Sequence, residues 1–339
     1  MHLYKQEIKD RKVGSWRYGL GVIASRENKL LSNEDVDRLY AAENKEEFDR
    51  LRTELGYGGD NFSEVLEAAQ KSDIELLADL MPNSKFLQVL LLENDLHNLK
   101  ATIKASLLAD GPLNEADLER LYVAPYTVEP VAYLNQLKGE SNDLPKDYRE
   151  LISSADQIWH HTYNPADVDS IIDQFYWQRL DQALSELDNQ FLQGFYRIKR
   201  DLSNLETLLR AYQLELGSQD FEKSLLPAGD LDDRDLANWL VEGKDNLLQK
   251  LEYSDYAPLK EVISNYGRAG SASAYQAASD NFLAQYIRHN LPSGAGPERI
   301  LAYFFAREQE RKNIELARIA LVNKLDQTRI SEIKREVVL

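Results

Sequence analysis

The sequence predicts an all-α fold of three related helical modules, and three observations carry that expectation. Ten prolines and sixteen glycines are too few to break 339 residues into short strands, and β-branched alternation is scarce. Long segments show helical periodicity instead. Most tellingly, Asp95-Leu96-His97-Asn98-Leu99-Lys100 returns closely as Asp201-Leu202-Ser203-Asn204-Leu205-Glu206 and loosely as Glu310-Arg311-Lys312-Asn313-Ile314-Glu315. The asparagines at 98, 204 and 313 divide the chain almost evenly.

On a helix, Asn98/Ala101/Ala105 share one face at i, i+3, i+7, as do Asn204/Thr207/Ala211 and Asn313/Leu316/Ala320. Mostly small residues there let another helix approach, so Asn98, Asn204 and Asn313 are candidates for repeat packing. A second signature recurs in residues 31–40, 113–122 and 231–240. Each begins with a helix N-cap (Ser32, Asn114, Asp232) and has an acid three residues on (Asp35, Asp117, Asp235). The cap oxygen takes a free backbone N–H, and the acid bonds back while favouring the positive helix end.

The first module, 1–110, runs from this cap through a helix near residues 46–51 to a glycine-rich turn at 56–59. A helix over 62–69 and a segment over 72–81 follow. Pro82 interrupts before a long helix over 83–109, which Gly111-Pro112 ends. The second module, 111–225, has a polar stretch at 138–145 and helices over 165–190 and 193–216. Residues 226–229 open the third module, 226–339, which closes with a glycine-rich turn at 294–297 and a helix over 298–323.

Composition excludes several function classes. Without cysteine there is no disulfide framework, thiolate metal site or thiol nucleophile. A net charge of −17 opposes nucleic acid or an anionic membrane surface. The first ten residues are polar, with no apolar signal region, and no apolar run approaches the roughly 18–20 residues that span a bilayer. The expectation is a cytoplasmic chain without direct membrane insertion.

No phosphate-binding loop, nucleophile elbow or zinc-protease motif is present, and Gly19-Leu20-Gly21 lacks the third glycine of a dinucleotide loop. No Glu-x-x-His pair offers a di-iron arrangement. His160 and His161 would diverge by about 100° on a helix, so they read as a surface or helix-end pair. Asp232, Asp233 and Asp235 read as capping residues and not as a divalent-metal loop, because two other copies cap at the same place. The expected inventory is therefore no catalytic residue, no cofactor and no metal.

The third copy breaks the pattern in one respect. Aligning the asparagines sets Leu92/Leu96/Ile103 against Ile198/Leu202/Leu209 and then against Arg307/Arg311/Arg318. Spacing of i, i+4, i+11 places each trio on one stripe, within about 60° of arc. Either the last module turns this stripe to water, or the arginines grip acids of a partner or of this chain. Arg307, Arg311 and Arg318 are thus candidate partner contacts, expected to be more exposed than their apolar counterparts.

Residues 18–32 (Tyr18-Gly19-Leu20-Gly21 through Leu31-Ser32), with Asp95-Leu96-His97-Asn98-Leu99-Lys100 and Gly296-Pro297-Glu298-Arg299-Ile300-Leu301-Ala302-Tyr303, resemble a known family. It is the C subunit of archaeal and bacterial V/A-type ATPases, related to the d subunit of eukaryotic vacuolar ATPases. Residues 320–324 and the charged tail through 331–334 are similar to the family's ending. Glu315 departs from the family's arginine after the third asparagine, and residues 1–14 form an unfamiliar polar lead. The resemblance implies a funnel-like body with three modules about a pseudo-threefold axis. It implies a noncatalytic central-stalk rotor subunit, held at the membrane through its complex. Its partners would be the shaft subunits and the membrane rotor ring. A general all-α scaffold and an all-α enzyme with an unrecognised site are the other readings.

Overall fold

The computed structural model describes residues 16–80, 84–108, 118–123, 126–141, 143–227, 229–293 and 296–339. Within them the chain is helical, with no strand beyond one isolated bridge between Tyr266 and Arg268. The early helices are α1 (Trp16–Glu27), α2 (Asn33–Tyr40), α3 (Lys45–Glu54), α4 (Phe62–Leu80) and α5 (Ser84–Leu108). Next come α6 (Pro130–Leu137), α7 (Lys146–Thr162), α8 (Pro165–Leu187), α9 (Gln190–Leu214) and α10 (Ser218–Ser224). The rest are α11 (Asp233–Glu242), α12 (Lys244–Leu251), α13 (Lys260–Asn265), α14 (Ser271–Asn290), α15 (Pro297–Asn323) and α16 (Gln327–Ile333).

Helix starts follow local chemistry. Ser32 and Asp35 form a full capping box, with Ser32 Oγ accepting from Asp35 N at 3.2 Å and Asp35 Oδ2 accepting from Ser32 N at 3.0 Å. The Ser32 hydroxyl also donates to Asp35 Oδ2 at 2.7 Å, and chiefly that bond, with the Ser32 N–H, holds the Asp35 carboxyl below its usual range. At Asp232 the cap oxygen takes the Arg234 N–H at 2.8 Å, one residue short of a box. Proline occupies the first turn of α6, α8 and α15, where a missing N–H costs nothing. The anticipated break between residues 69 and 72 is absent: α4 runs unbroken to Leu80, since nothing there forbids helix and Ile74, Leu77 and Leu80 are buried. The expected cap at Asn114 and acid at Asp117 lie outside the described residues.

Contacts gather the chain into two compact units, one containing Gln70–Asn189 and the other containing Trp16–Ala69 with Gln190–Leu339. In the first, α5 packs on α6 and α8, and α7 covers α8. Leu91, Leu99, Ile103, Tyr133, Ile172 and Leu180 are buried there, each worth about 1.5–3 kcal/mol against exposure for an aliphatic side chain. Lys100 meets Asp173 and Lys104 meets Asp169, both at 2.6 Å, so α5 and α8 run antiparallel.

In the second unit, α9 lies against α14 and α11, while α15 packs on α1, α2 and α3. One apolar cluster joins Leu31, Val36, Leu39, Phe48 and Tyr57 to Ile314, Ala317 and Ala320 of α15. Sequence neighbours do not make this contact. The last long helix turns back to the first capped helix.

Candidate functional site

Each long helix bearing the repeat uses its asparagine in the same way. Asn98 Nδ2 donates to the Val123 carbonyl at 3.0 Å, and Asn98 Oδ1 accepts the Val123 N–H at 2.7 Å. Asn204 holds Leu226 by the same two bonds, both at 2.8 Å. Asn313 holds Arg335 at 3.1 and 2.9 Å. An amide side chain offers a donor and an acceptor side by side without needing a proton, matching one residue's own N–H and C=O. All three asparagines are buried, at 0%, 0% and 2% exposure. Tyr40 adds a hydroxyl donor to Asn313 Oδ1 at 3.3 Å.

Sequence reasoning singled out the asparagines and passed over the acid three residues earlier, although it stands in the same quoted stretches. One helical turn back, Asp95 accepts the N–H groups of Thr127 at 2.7 Å and Val128 at 3.1 Å, with the Thr127 hydroxyl alongside. Asp201 accepts from Asp230 N at 2.9 Å, Leu231 N at 3.1 Å and the Tyr256 hydroxyl at 2.5 Å. Glu310 accepts from Leu31 N at 2.5 Å and the Tyr57 hydroxyl at 3.1 Å. Each acid therefore fixes the backbone just ahead of a helix: α6, α11 and α2 respectively. For Asp95 the helix ahead is α6, opening at Pro130.

Burial pushes the Asp95 carboxyl up to about 6, against the lowering by its three hydrogen bonds. Burial also raises Asp201, again opposed by Tyr256 and the two N–H groups. The chain approaches Asp201 closely at Gly229, where a Cβ would collide with Asp201 Oδ1.

The arginine stripe of α15 faces the chain's own early segment. Arg307 pairs with Glu310 at 2.5 Å and lies 5.5 Å from the Tyr57 ring centroid. Arg318 sits 4.4 Å over the Phe62 ring and is otherwise exposed. Arg311 departs from the expected exposure: at 8% it is as enclosed as Leu92, within electrostatic reach of Tyr57 and Glu308. A guanidinium tolerates that position because acids and a polar ring stand beside it.

Elsewhere, His160 and His161 end α7 exposed, His160 facing Asp156 at 3.5 Å. Among the described residues no three His, Asp or Glu side chains gather as a metal set, and no helix is long and apolar enough to cross a membrane.

Asn98 and Asn204 each hold a connector together with an acid one turn back, while Asn313 and Glu310 hold two separate stretches, at Arg335 and Leu31. A sequence profile described as ATP synthase (C/AC39) subunit matches residues 20–333. The chain belongs to the ATP synthase (C/AC39) subunit family. The C subunit of the A-type ATP synthase of Methanocaldococcus jannaschii is 24% identical over 331 residues, covering 86% of this chain and 79% of that protein. The C subunit of the V-type ATP synthase of Thermus thermophilus is 24% identical over 288 residues, covering 80% and 83%. The C subunit of the A-type ATP synthase of a Desulfurococcus species is 23% identical over 348 residues, covering 96% and 92%. At such identity, membership in the ATP synthase (C/AC39) subunit family rests on coverage of nearly the whole chain.

Proposed function

We propose that this chain is the C subunit of an A/V-type rotary ATPase, acting as a noncatalytic adapter in the central stalk. It would sit on the membrane rotor ring, receive the shaft subunits, and carry torque between ATP turnover elsewhere and ion movement in the ring. The family match across residues 20–333 carries this reading. The charge of −17 and the absence of a phosphate-binding loop accord with a protein partner and no nucleotide of its own.

Three modules, 1–110, 111–225 and 226–339, arranged about a pseudo-threefold axis into a funnel, belong to the same proposal. The repeated amide-and-acid clamp on α5, α9 and α15 supports it. Among the three arginines, Arg318 is the exposed one, and it is the partner contact we favour.

Deleting the protein tests the assignment. ATP hydrolysis by the separated catalytic head should survive while ion pumping is lost, and native mass spectrometry should place the chain with shaft and ring proteins. Undiminished pumping in the deletion strain, or absence of the chain from the complex, would overturn the reading.

A further inference from the structure

We propose that α2, α14 and α15 form a peptide-binding groove whose occupant is the chain's own segment 334–339, held there as a releasable strap. In two of the three joints a single connector satisfies both the amide and the acid. Asn98 holds Val123 and Asp95 holds Thr127 and Val128, while Asn204 holds Leu226 and Asp201 holds Asp230 and Leu231. The third joint is split. Asn313 holds Arg335, but Glu310 holds Leu31, which belongs to the opposite end of the chain. What a covalent connector does twice is done here by docking.

The groove reads the segment residue by residue. Lys334 reaches Asp37 of α2, and its carbonyl accepts from Asn281 Nδ2 at 3.3 Å. Arg335 Nε bonds Asp280 Oδ2 at 3.1 Å while Asn313 holds its backbone. Glu336 gives its N–H to Asn281 Oδ1 at 2.8 Å and its carboxylate to Arg288. Arg288 also donates to the Val337 carbonyl at 3.4 Å, and Val338 is 1% exposed. The recognised pattern is two cations, one acid and a buried valine on a non-helical backbone, as in other peptide grooves where main-chain bonds give affinity and side-chain pockets give specificity.

The seam between the two halves is visible as a small pocket lined by Leu30, Leu31, Gln309, Val337 and Val338. Gln309 is 2% exposed, and neither its Oε1 nor its Nε2 finds a hydrogen-bond partner among the described residues. A buried amide left in that state is a polar gap beside the docked segment.

Hydrogen exchange on the full chain tests the proposal first. The Arg335 and Glu336 amides should exchange by local release, at least tenfold faster than the clamped Val123 and Leu226 amides. Excess synthetic Lys-Arg-Glu-Val-Val-Leu should compete for the groove and accelerate them further. In a variant ending at Ile333, the same peptide should bind saturably and raise the melting temperature. A peptide with alanine for Arg335 should bind on the order of tenfold more weakly, as expected for one lost charge-assisted bond. Exchange of Arg335 and Glu336 only at the rate of the core, unmoved by peptide, would overturn the proposal. So would a folded truncated chain that fails to bind it.

Discussion

Among single residues, the clamp asparagines are decided by what an amide can do and a carboxylate cannot. Asn204→Ala leaves the half-buried N–H and C=O of Leu226 without their amide partner, a loss of about 1–3 kcal/mol. Asn204→Asp should cost at least as much, because a carboxylate accepts the N–H but offers nothing to the carbonyl. Equilibrium unfolding in urea of both variants distinguishes this from simple loss of volume, which only the alanine suffers. Asp95 makes a pH prediction. Its carboxyl titrates near 6 when folded against an ordinary 3.8, so the folded chain keeps its proton while the unfolded chain has lost it. Stability from this group is complete below about pH 4, falls as pH rises to about 6, and stays lower by about 3 kcal/mol beyond. Asp95→Asn keeps acceptance from Thr127 and Val128 and removes the charge. Its advantage over the native chain should grow from pH 4 to 6, measured by unfolding across that range, and a flat difference would refute the assignment.

For the helices as units, capped ends and long packed faces carry different weights. The Ser32 capping box is local and exposed, so Ser32→Ala should remove about 1 kcal/mol. Gly229→Ala should cost more, about 1–3 kcal/mol, since its methyl would collide with the carboxylate that anchors α11. On α15 the arginines separate by burial. Arg311→Glu puts a second acid beside Glu310 in an enclosed position and should destabilise the fold by about 3–5 kcal/mol, read as a lower unfolding midpoint. Arg318→Glu should leave the isolated chain folded and weaken assembly in a salt-sensitive way, read by pull-down with shaft and ring proteins at varied ionic strength. Unchanged assembly would remove Arg318 as a partner contact.

Across the entire chain, long-range joints tie separated parts together. Glu310 reaches Leu31 across 279 residues, and Asn313 reaches Tyr40 across 273. A torque-bearing adapter must not slip, so each face engaged in an assembled rotor should bury at least about 1,000 Å². Calorimetry of the isolated chain with ATP, ADP and divalent ions should show no stoichiometric site. A micromolar site would revive the enzyme reading.

The helical class, the three long helices to within a few residues, and the recurrence of Asn98, Asn204 and Asn313 were all legible in the letters. Periodicity, prolines and repeated residues are local signals, and a chain read in order exposes them. The acids at 95, 201 and 310 stood in the same repeat but were indistinct among 57 carboxylates, since a sequence does not say which acid faces a bare N–H. What those side chains hold emerged only on folding, because Val123, Leu226 and Arg335 carry no mark of being clamped: a peptide's N–H and C=O are the same in every residue. Folding likewise enclosed Arg311. It also turned the last long helix back upon α2 and α3, whose apolar cluster is completed by Ile314, Ala317 and Ala320 as well as by nearer residues such as Tyr57 and Phe62.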